Sequence, residues 1–399
     1  MQNLTFYLTD FYNERDENIN SKERHEARYQ RRKAKRDKKK KEFIESLGTY
    51  EEIFSFENLY ESFKKCKKGV RWKNSIQSYE VNLPTNIYEL WKEINDEIWT
   101  SKGFVEFDLC ERGKLRHIQS VHISERCLQR CFCDNYLVPL LSHNLIYDNG
   151  ASLKSKGIDF AIRRIKKHLQ NYYNTYHTNK GYVLLFDFSN YFRNISHDKL
   201  FEITDKYMTD ERLKALYHQL VNAFDEGLGL GSQVCQISAI AFPNIIDHYF
   251  KDILGIKGYA RYMDDGYIIG NNINDMYKYR DKLYELCNEL GIIINPKKIV
   301  ICRIEHGFIF LKKRIRLIKN RNVVMKLSRK SLVSERRKLK KLYKMLINGK
   351  IQFHYVEEQY RSWRGNALKY KNYKSVSNMD KLYNSLFIKS FARGENYYG

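Results

Sequence analysis

Apolar residues recur at helical spacing from Phe43 to Trp99, as in FENLYESFKKC and NIYELWKEINDEIW, and predict a helical region. The pattern then changes. FVEFDLCERGKLRHIQS reads as two strands with Gly113 at the turn, and ISERCLQRCFCDNYLVPLLS as a helix capped by Ser124 and interrupted near Pro139. After the loop YDNGASLKSKG, DFAIRRIKKHLQNYY is a basic amphipathic helix. GYVLLFDF is a short apolar run of the length of a buried strand, and SHDKLFEITDKYM opens a helix at Ser196. GYARYMDDGYIIG predicts a hairpin, two apolar strands around an acidic turn closed by Gly266. ELGIIINPKKIVICR adds a strand region, and from about Ser328 the chain is helical and basic. No repeat and no Gly/Ser linker divides these parts, so they are expected to pack as one body.

Composition narrows the class. With 399 residues and 43% hydrophobic side chains the chain has ample material for a core. Lys and Arg number 71 against 47 Asp and Glu, a net charge of +24, which suits a polyanion such as nucleic acid. No apolar run reaches the roughly 20 residues of a membrane span, and no signal-peptide pattern opens the sequence. Eight irregularly spaced cysteines read as reduced thiols and predict a cytoplasmic protein. Cys127, Cys131 and Cys133 lie close together but lack the paired partners of a zinc site, so they read as buried helix cysteines.

The charge is concentrated at the start. Lys22 to Lys41 holds twelve Lys or Arg, among them Arg31 and Arg32, against three acidic residues. Such a segment forms a solvated helix or stays disordered until it meets an anion. It is expected to dock nucleic acid; a solubilising tail is the plainer alternative.

Candidate chemistry lies in three carboxylates. Asp187 ends the apolar run LLFD, and Asp264-Asp265 sit at the tip of the hairpin. Acidic groups gathered on adjacent strand ends repel one another unless cations neutralise them, which is how a two-Mg²⁺ site for phosphoryl or nucleotidyl transfer is built. A lone Asp-Asp pair would be an ordinary polar turn. Its apolar flanks and the earlier strand-end Asp favour the metal.

These residues resemble a known family. Tyr262-Met263-Asp264-Asp265 is similar to the YxDD box of reverse transcriptases, and LLFDFSNYFRNI to the motif with the first catalytic Asp. KLRHIQSVHISERCLQR, IYDNGASLKSKGIDFAI, GLGLGSQVCQISAI, ELGIIINPKKIVI and GFIFLKKRI resemble the family's other motifs, in its order, across about residues 110 to 320. The resemblance implies an α+β right-hand polymerase: fingers, a palm with an antiparallel sheet, and a helical thumb, behind a basic helical N-terminal extension. The expected parts are 1–42 (basic segment), 43–100 (helical region), 101–325 (fingers and palm) and 326–399 (short thumb).

It also implies roles. Asp187 and Asp264 would hold two Mg²⁺ ions, with Mn²⁺ the alternative, supported by Asp265 and the Phe188 carbonyl. Phe192 falls where the family places its steric gate against a ribose 2′-oxygen; core packing is the alternative. Arg116, Lys154 and Lys156 fall in segments that clasp the triphosphate, and Gly231 in the segment beneath the templating pair. Lys298 in NPKK matches a lysine near the leaving pyrophosphate, a general-acid role for which Lys297 competes. In the thumb, Arg361, Trp363 and Arg364 would track a duplex by charge and stacking, unless Trp363 packs into the thumb core.

Departures and absences narrow the family. Leu230 stands before Gly231 where many members have Gln, a pattern nearer to the enzymes of diversity-generating elements and bacterial defence than to viral or intron ones. Only about 80 residues follow GFIFLKKRI, too few for an RNase H, integrase or maturase part, and the NAxxH and VTG signatures of retrons are absent. The reading is an RNA-directed DNA polymerase with dNTP substrates, a DNA product and an RNA template. That template is expected to be a dedicated noncoding RNA in anti-phage defence. Mutagenic diversification, a non-catalytic RNA-binding descendant and an RNA-dependent RNA polymerase are the alternatives, and self-association stays open.

Overall fold

The computed structural model describes residues 19–111 and 114–388, without the side chains of 19–25, 33, 36, 111, 114 and 116. The chain divides into two compact units that interleave along the sequence.

One unit comprises 19–105, Val121–Leu140 and Asp205–Tyr217. It is helical, and its helices begin where local chemistry provides acceptors for their first N–H groups. Thr49 and Glu52 form a reciprocal capping box at Tyr50–Ile53, and the Ser55 side chain accepts from the Asn58 N–H at Phe56–Cys66. Leu59, Phe63, Ile87, Leu128, Cys131 and Phe132 are sealed inside. The helix Ile123–Phe132 is capped by the His122 ring rather than by Ser124, because the chain turns helical two residues earlier than expected. The interruption near Pro139 is a widened π turn, Cys133–Leu137, before Val138–Ser142; such a turn accommodates a proline that lacks the N–H for the regular ladder. The basic segment forms a 27-residue helix, Ile19–Glu45, whose side chains are almost all exposed from residue 26 to residue 39 where described. Residues 1–18 of the expected basic segment lie outside the described residues.

The other unit comprises Glu106–Ser120, Leu141–Thr204 and 218–388. It mixes helices and sheets, the α+β composition expected. Its strands are β1 (Phe104–Glu111), β2 (Lys114–Val121), β3 (Tyr182–Asp187), β4 (Tyr259–Tyr262), β5 (Asp265–Gly270), β6 (Val300–Arg303), β7 (Phe308–Phe310), β8 (Lys313–Leu317) and β9 (Val323–Leu327). β1 and β2 pair as a hairpin. The central sheet runs β4-β5-β3-β6 and is antiparallel throughout.

β3 and β5 are continuous apolar runs because helices pack on them: Ile165, Leu169 and Tyr172 of the helix Ile158–Tyr176 join Val183, Tyr267 and Ile269, and the helix Ile273–Leu290 also packs on both strands. Gly266 does not close the turn. It lies within β5, where an added Cβ would stand 2.1 Å from Phe186 Cζ, so the glycine admits the ring. The expected strand ELGIIINPKKIVICR shortens to β6 plus a single bridge between Phe188 and Ile294, because Pro296 and the following turn break the ladder.

The smaller sheet β7-β8-β9 buries alternate residues of β8 and exposes Arg314 and Arg316. Beyond Ser328, which caps Arg329–Ile347, the helices Phe353–Lys369 and Tyr373–Tyr383 share a core of Leu339, Leu342, Val356, Tyr360, Met379 and Tyr383. Among the described residues no helix is long and apolar enough to cross a membrane.

Candidate active site

The end of β3 and the start of β5 meet at the acidic residues. Asp187 pairs directly with Asp265, and Met263 and Asp264 form the turn that leads from β4 into β5. The backbone beyond β3 is locked on both sides: Ser189 N–H donates to the Ile293 carbonyl at 2.7 Å, and Asn295 N–H donates to the Asp187 carbonyl at 2.8 Å. Asp187 is 4% exposed. Its Oδ1 accepts from Asn295 Nδ2 at 3.2 Å, and its Oδ2 is in close contact with Lys298 Nζ.

Burial, then the charges of Asp264 and Asp187, push the Asp265 carboxyl up to about 7. The neighbourhood thus holds more negative charge than it can neutralise. Burial would lower the Lys298 ammonium, but its hydrogen bond to Asp187 and the three carboxylate charges outweigh that and hold it above the ordinary lysine value. Lys297 is exposed as Lys298 is, and its backbone N–H donates to Asn295 Oδ1 at 3.1 Å. Of the two competing lysines, Lys298 is the one that reaches Asp187.

As the side chains stand, no three His, Cys, Asp or Glu among the described residues close into a ready-made cage. Mg²⁺ does not require one. It keeps several waters, takes one or two carboxylates and completes its shell with substrate phosphates, so hard oxygen donors with unbalanced charge suit it.

Other expected residues lie nearby in the chain's path or apart from it. Phe188 is buried with its ring between Phe186 and Tyr191, and its N–H donates to the Asp264 carbonyl. Phe192 is only half-buried, edge-on to Tyr191 at 6.0 Å between centroids, and its carbonyl accepts from Leu228 N–H at 2.8 Å. A residue wholly committed to the core would be more deeply covered. Gly231 has φ +113°, a conformation that disfavours any side chain, and sits against the Gln119 carbonyl of β2.

Lys154 is exposed. Lys156 is held by its own loop, donating to the Tyr147 carbonyl at 2.8 Å with its ammonium over the Tyr147 and Phe160 rings. That loop is tied to β4 by Gly150 N–H donating to the Arg261 carbonyl at 2.8 Å. Arg116 lies on β2, its side chain outside the described residues.

In the C-terminal helices Arg361 pairs with Glu357 at 2.7 Å and Arg364 with Asp380 at 2.9 Å. Trp363 stacks on Tyr360 and packs between two apolar clusters, so protein contacts take much of its ring. Arg31 and Arg32 are exposed on the helix Ile19–Glu45.

Asn295 was not singled out by sequence reasoning. Its amide holds Asp187 while its carbonyl oxygen caps the Lys297 N–H, a local turn that Asn before Pro favours. The Asn-Pro dipeptide was the signal that could have found it.

The sequence pattern of the family described as "Reverse transcriptase (RNA-dependent DNA polymerase)" matches residues 111–359. No protein of curated function matches the sequence. Among solved structures, the chain is similar to apo telomerase from Candida tropicalis truncated from its C-terminal domain, at 16% identity and a TM-score of 0.45, covering 55% of this chain and 54% of that one. It is also similar to apo telomerase from the same organism, at 14% identity and a TM-score of 0.46, covering 72% of this chain and 60% of that one. The chain thus spans little more than half the length of these structures.

Proposed function

Since the chain belongs to the reverse transcriptase family, we propose that it is an RNA-directed DNA polymerase of right-hand fold and that Asp187, Asp264 and Asp265 are its catalytic carboxylates. In this reading residues 101–325 form fingers and palm, and 326–399 a short thumb. The observation that carries it is the direct pairing of Asp187 with Asp265 beside the Asp264 turn, with Asp265 pushed up to about 7 by burial and its neighbours.

Members of this family work with divalent metal ions. Asp187, Asp264 and Asp265, with the Phe188 carbonyl, would hold two Mg²⁺ ions here; Mn²⁺ is the alternative. Such ions activate a primer 3′-hydroxyl and steady the leaving oxygens. Lys298 keeps a proton on Nζ against Asp187 and, on substrate binding, can pass it to the leaving pyrophosphate. Asn295 orients Asp187 through its other oxygen. Phe192 would crowd the 2′-position of an incoming nucleotide, and Lys154, with the segments that carry Arg116 and Gly231, would serve its phosphates and base pair.

The test is extension of oligo(dT) on poly(rA) by Asp264→Asn/Asp265→Asn. DNA synthesis should vanish while RNA affinity stays within a few-fold, because that affinity comes from Lys and Arg contacts to phosphate. A purified double variant that polymerises at near wild-type rate would overturn the assignment.

For the biological role we favour anti-phage defence in the cytoplasm with a dedicated noncoding RNA. The support is the long exposed basic helix Ile19–Glu45, a surface suited to a structured RNA beyond the primer and template. Leu230 before Gly231 suits both settings; in the second reading, mutagenic copying in a diversity-generating element, fewer polar contacts would hold the incoming nucleotide. Sequencing the copurifying RNA and the DNA made from it separates the two.

A further inference from the structure

Beneath the acidic turn lies a charge that the polymerisation chemistry does not use. Arg261, just before the Tyr262–Asp265 box, and Asp247 both have side chains 0% exposed. The guanidinium serves three elements at once. Its Nε donates to Asp247 Oδ1 at 2.9 Å and Oδ2 at 3.1 Å, and Nη2 donates to Asp247 Oδ2 at 2.6 Å. Nη2 also donates to the Ile240 carbonyl at 2.9 Å, and Nη1 to the Met263 carbonyl at 2.9 Å. The Tyr259 hydroxyl adds a hydrogen bond to Asp247 Oδ1 at 2.6 Å.

Stability alone is a poor reason for such a pair. Well-packed apolar residues of similar volume often do as well as a buried ion pair, because desolvation offsets the Coulomb attraction. Geometry gives a better reason. Met263 has φ +54°, a conformation that non-glycine residues keep only where their surroundings impose it. Its carbonyl direction sets the peptide that carries Asp264. The second carbonyl on the same fork, Ile240, belongs to the helix Gln233–Ala241, and the Ala239 carbonyl of that helix accepts the Tyr191 hydroxyl at 2.6 Å. Tyr191 precedes Phe192. A single rigid, planar group therefore ties the carboxylate turn to the helix that anchors the residue beside the candidate gate. A lysine, with a point charge on a flexible stem, has no such fork.

We infer that Arg261, oriented by Asp247, is a positioning residue that fixes the Met263 peptide and so aims Asp264 and Asp265. It touches neither substrate nor metal. The inference rests on reading Asp264 and Asp265 as the catalytic carboxylates.

The experiment uses full-length variants: Arg261→Lys, and the apolar triple Arg261→Met/Asp247→Leu/Tyr259→Phe, which leaves no orphaned side-chain charge or hydroxyl. For each, the thermal midpoint, affinity for poly(rA)–oligo(dT), kcat and KM for dTTP, the Mg²⁺ concentration for half-maximal rate, and Mn²⁺ binding by paramagnetic resonance without substrate are measured. The folded triple should bind primer–template as wild type does and keep KM within a few-fold. Its kcat should fall on the order of 10- to 100-fold, the scale of a small misplacement of reacting groups. More Mg²⁺ should be needed and Mn²⁺ should bind more weakly. Arg261→Lys should lie between the two.

A folded triple with wild-type kcat and metal dependence would reduce the pair to core filling. If the triple does not fold, Arg261→Lys decides: wild-type kcat and Mg²⁺ dependence in that variant overturn the inference. Asp264→Asn, assayed in parallel, separates the two readings. Its loss of activity with unaffected Arg261 variants sinks only the positioning role, whereas retained activity in Asp264→Asn sinks the site itself.

Discussion

The N–H of Phe188 donates to the carbonyl of Asp264 at 3.0 Å, so the residue after one candidate catalytic carboxylate is bonded to the backbone of the next. Side chains alternate across a sheet, and a slip of one residue in this pairing would turn Asp187 and Asp265 to opposite faces. The bond, with the direct Asp187–Asp265 pairing, makes the spacing of the carboxylates a property of the ladder rather than of side-chain rotamers.

The ladder also depends on Gly266. Gly266→Ala would set a methyl group 2.1 Å from Phe186 Cζ, beside the ring stack that Phe186 makes with Phe188 and Tyr259. Overpacking of this kind costs about 1–3 kcal/mol, and denaturant unfolding should register a loss of that size. Adding Phe186→Leu should recover much of it; if the single variant is as stable as wild type, the glycine is not there to admit the ring.

Phe192→Val should admit ribonucleotides. The smaller side chain opens the 2′-position without touching Asp187, Asp264 or Asp265, and the ratio of kcat/KM for dNTP over rNTP should fall by roughly tenfold or more. An unchanged ratio in a folded variant would mean that Phe192 only packs against Tyr191.

The two lysines of the NPKK segment should behave differently. Lys298→Ala removes the ammonium that contacts Asp187, and loss of a general acid commonly lowers kcat by about 10²–10⁴-fold. Lys297→Ala, at an exposed side chain, should leave kcat within a few-fold. Single-turnover rates of dTTP addition distinguish them, and equal losses would remove the general-acid role from Lys298.

The basic helix Ile19–Glu45 should act on RNA rather than on chemistry. Deleting residues 1–41 should weaken association with the cognate RNA and flatten its salt dependence, by a slope of about 0.7–0.9 for each phosphate that the helix no longer neutralises. Extension of a preannealed primer at saturating concentration should persist. Unchanged affinity and salt slope would make the segment a solubilising extension, whereas an inactive protein at saturation would make it part of the folded polymerase.

Local pattern was enough to locate the carboxylates. The run LLFD and the alternation around Met263-Asp264-Asp265 are short, strongly apolar and bounded by turn residues, so burial and strand ends could be read from the residues themselves. The helices at Phe56–Cys66 and Ile158–Tyr176 were legible for the same reason, since a 3.6-residue period reports which face is covered. Periodicity, however, reports burial and not the partner. That Asp187 faces Asp265, that Asn295 holds Asp187, that Lys298 rather than Lys297 reaches it, and that Arg261 pairs with Asp247 are contacts between distant segments. Only packing selects among the many polar residues that could have met. Gly266 makes the point within a single motif: in sequence it looks like a turn glycine, and in the folded chain it is a strand residue whose missing side chain is filled by a phenylalanine from the neighbouring strand.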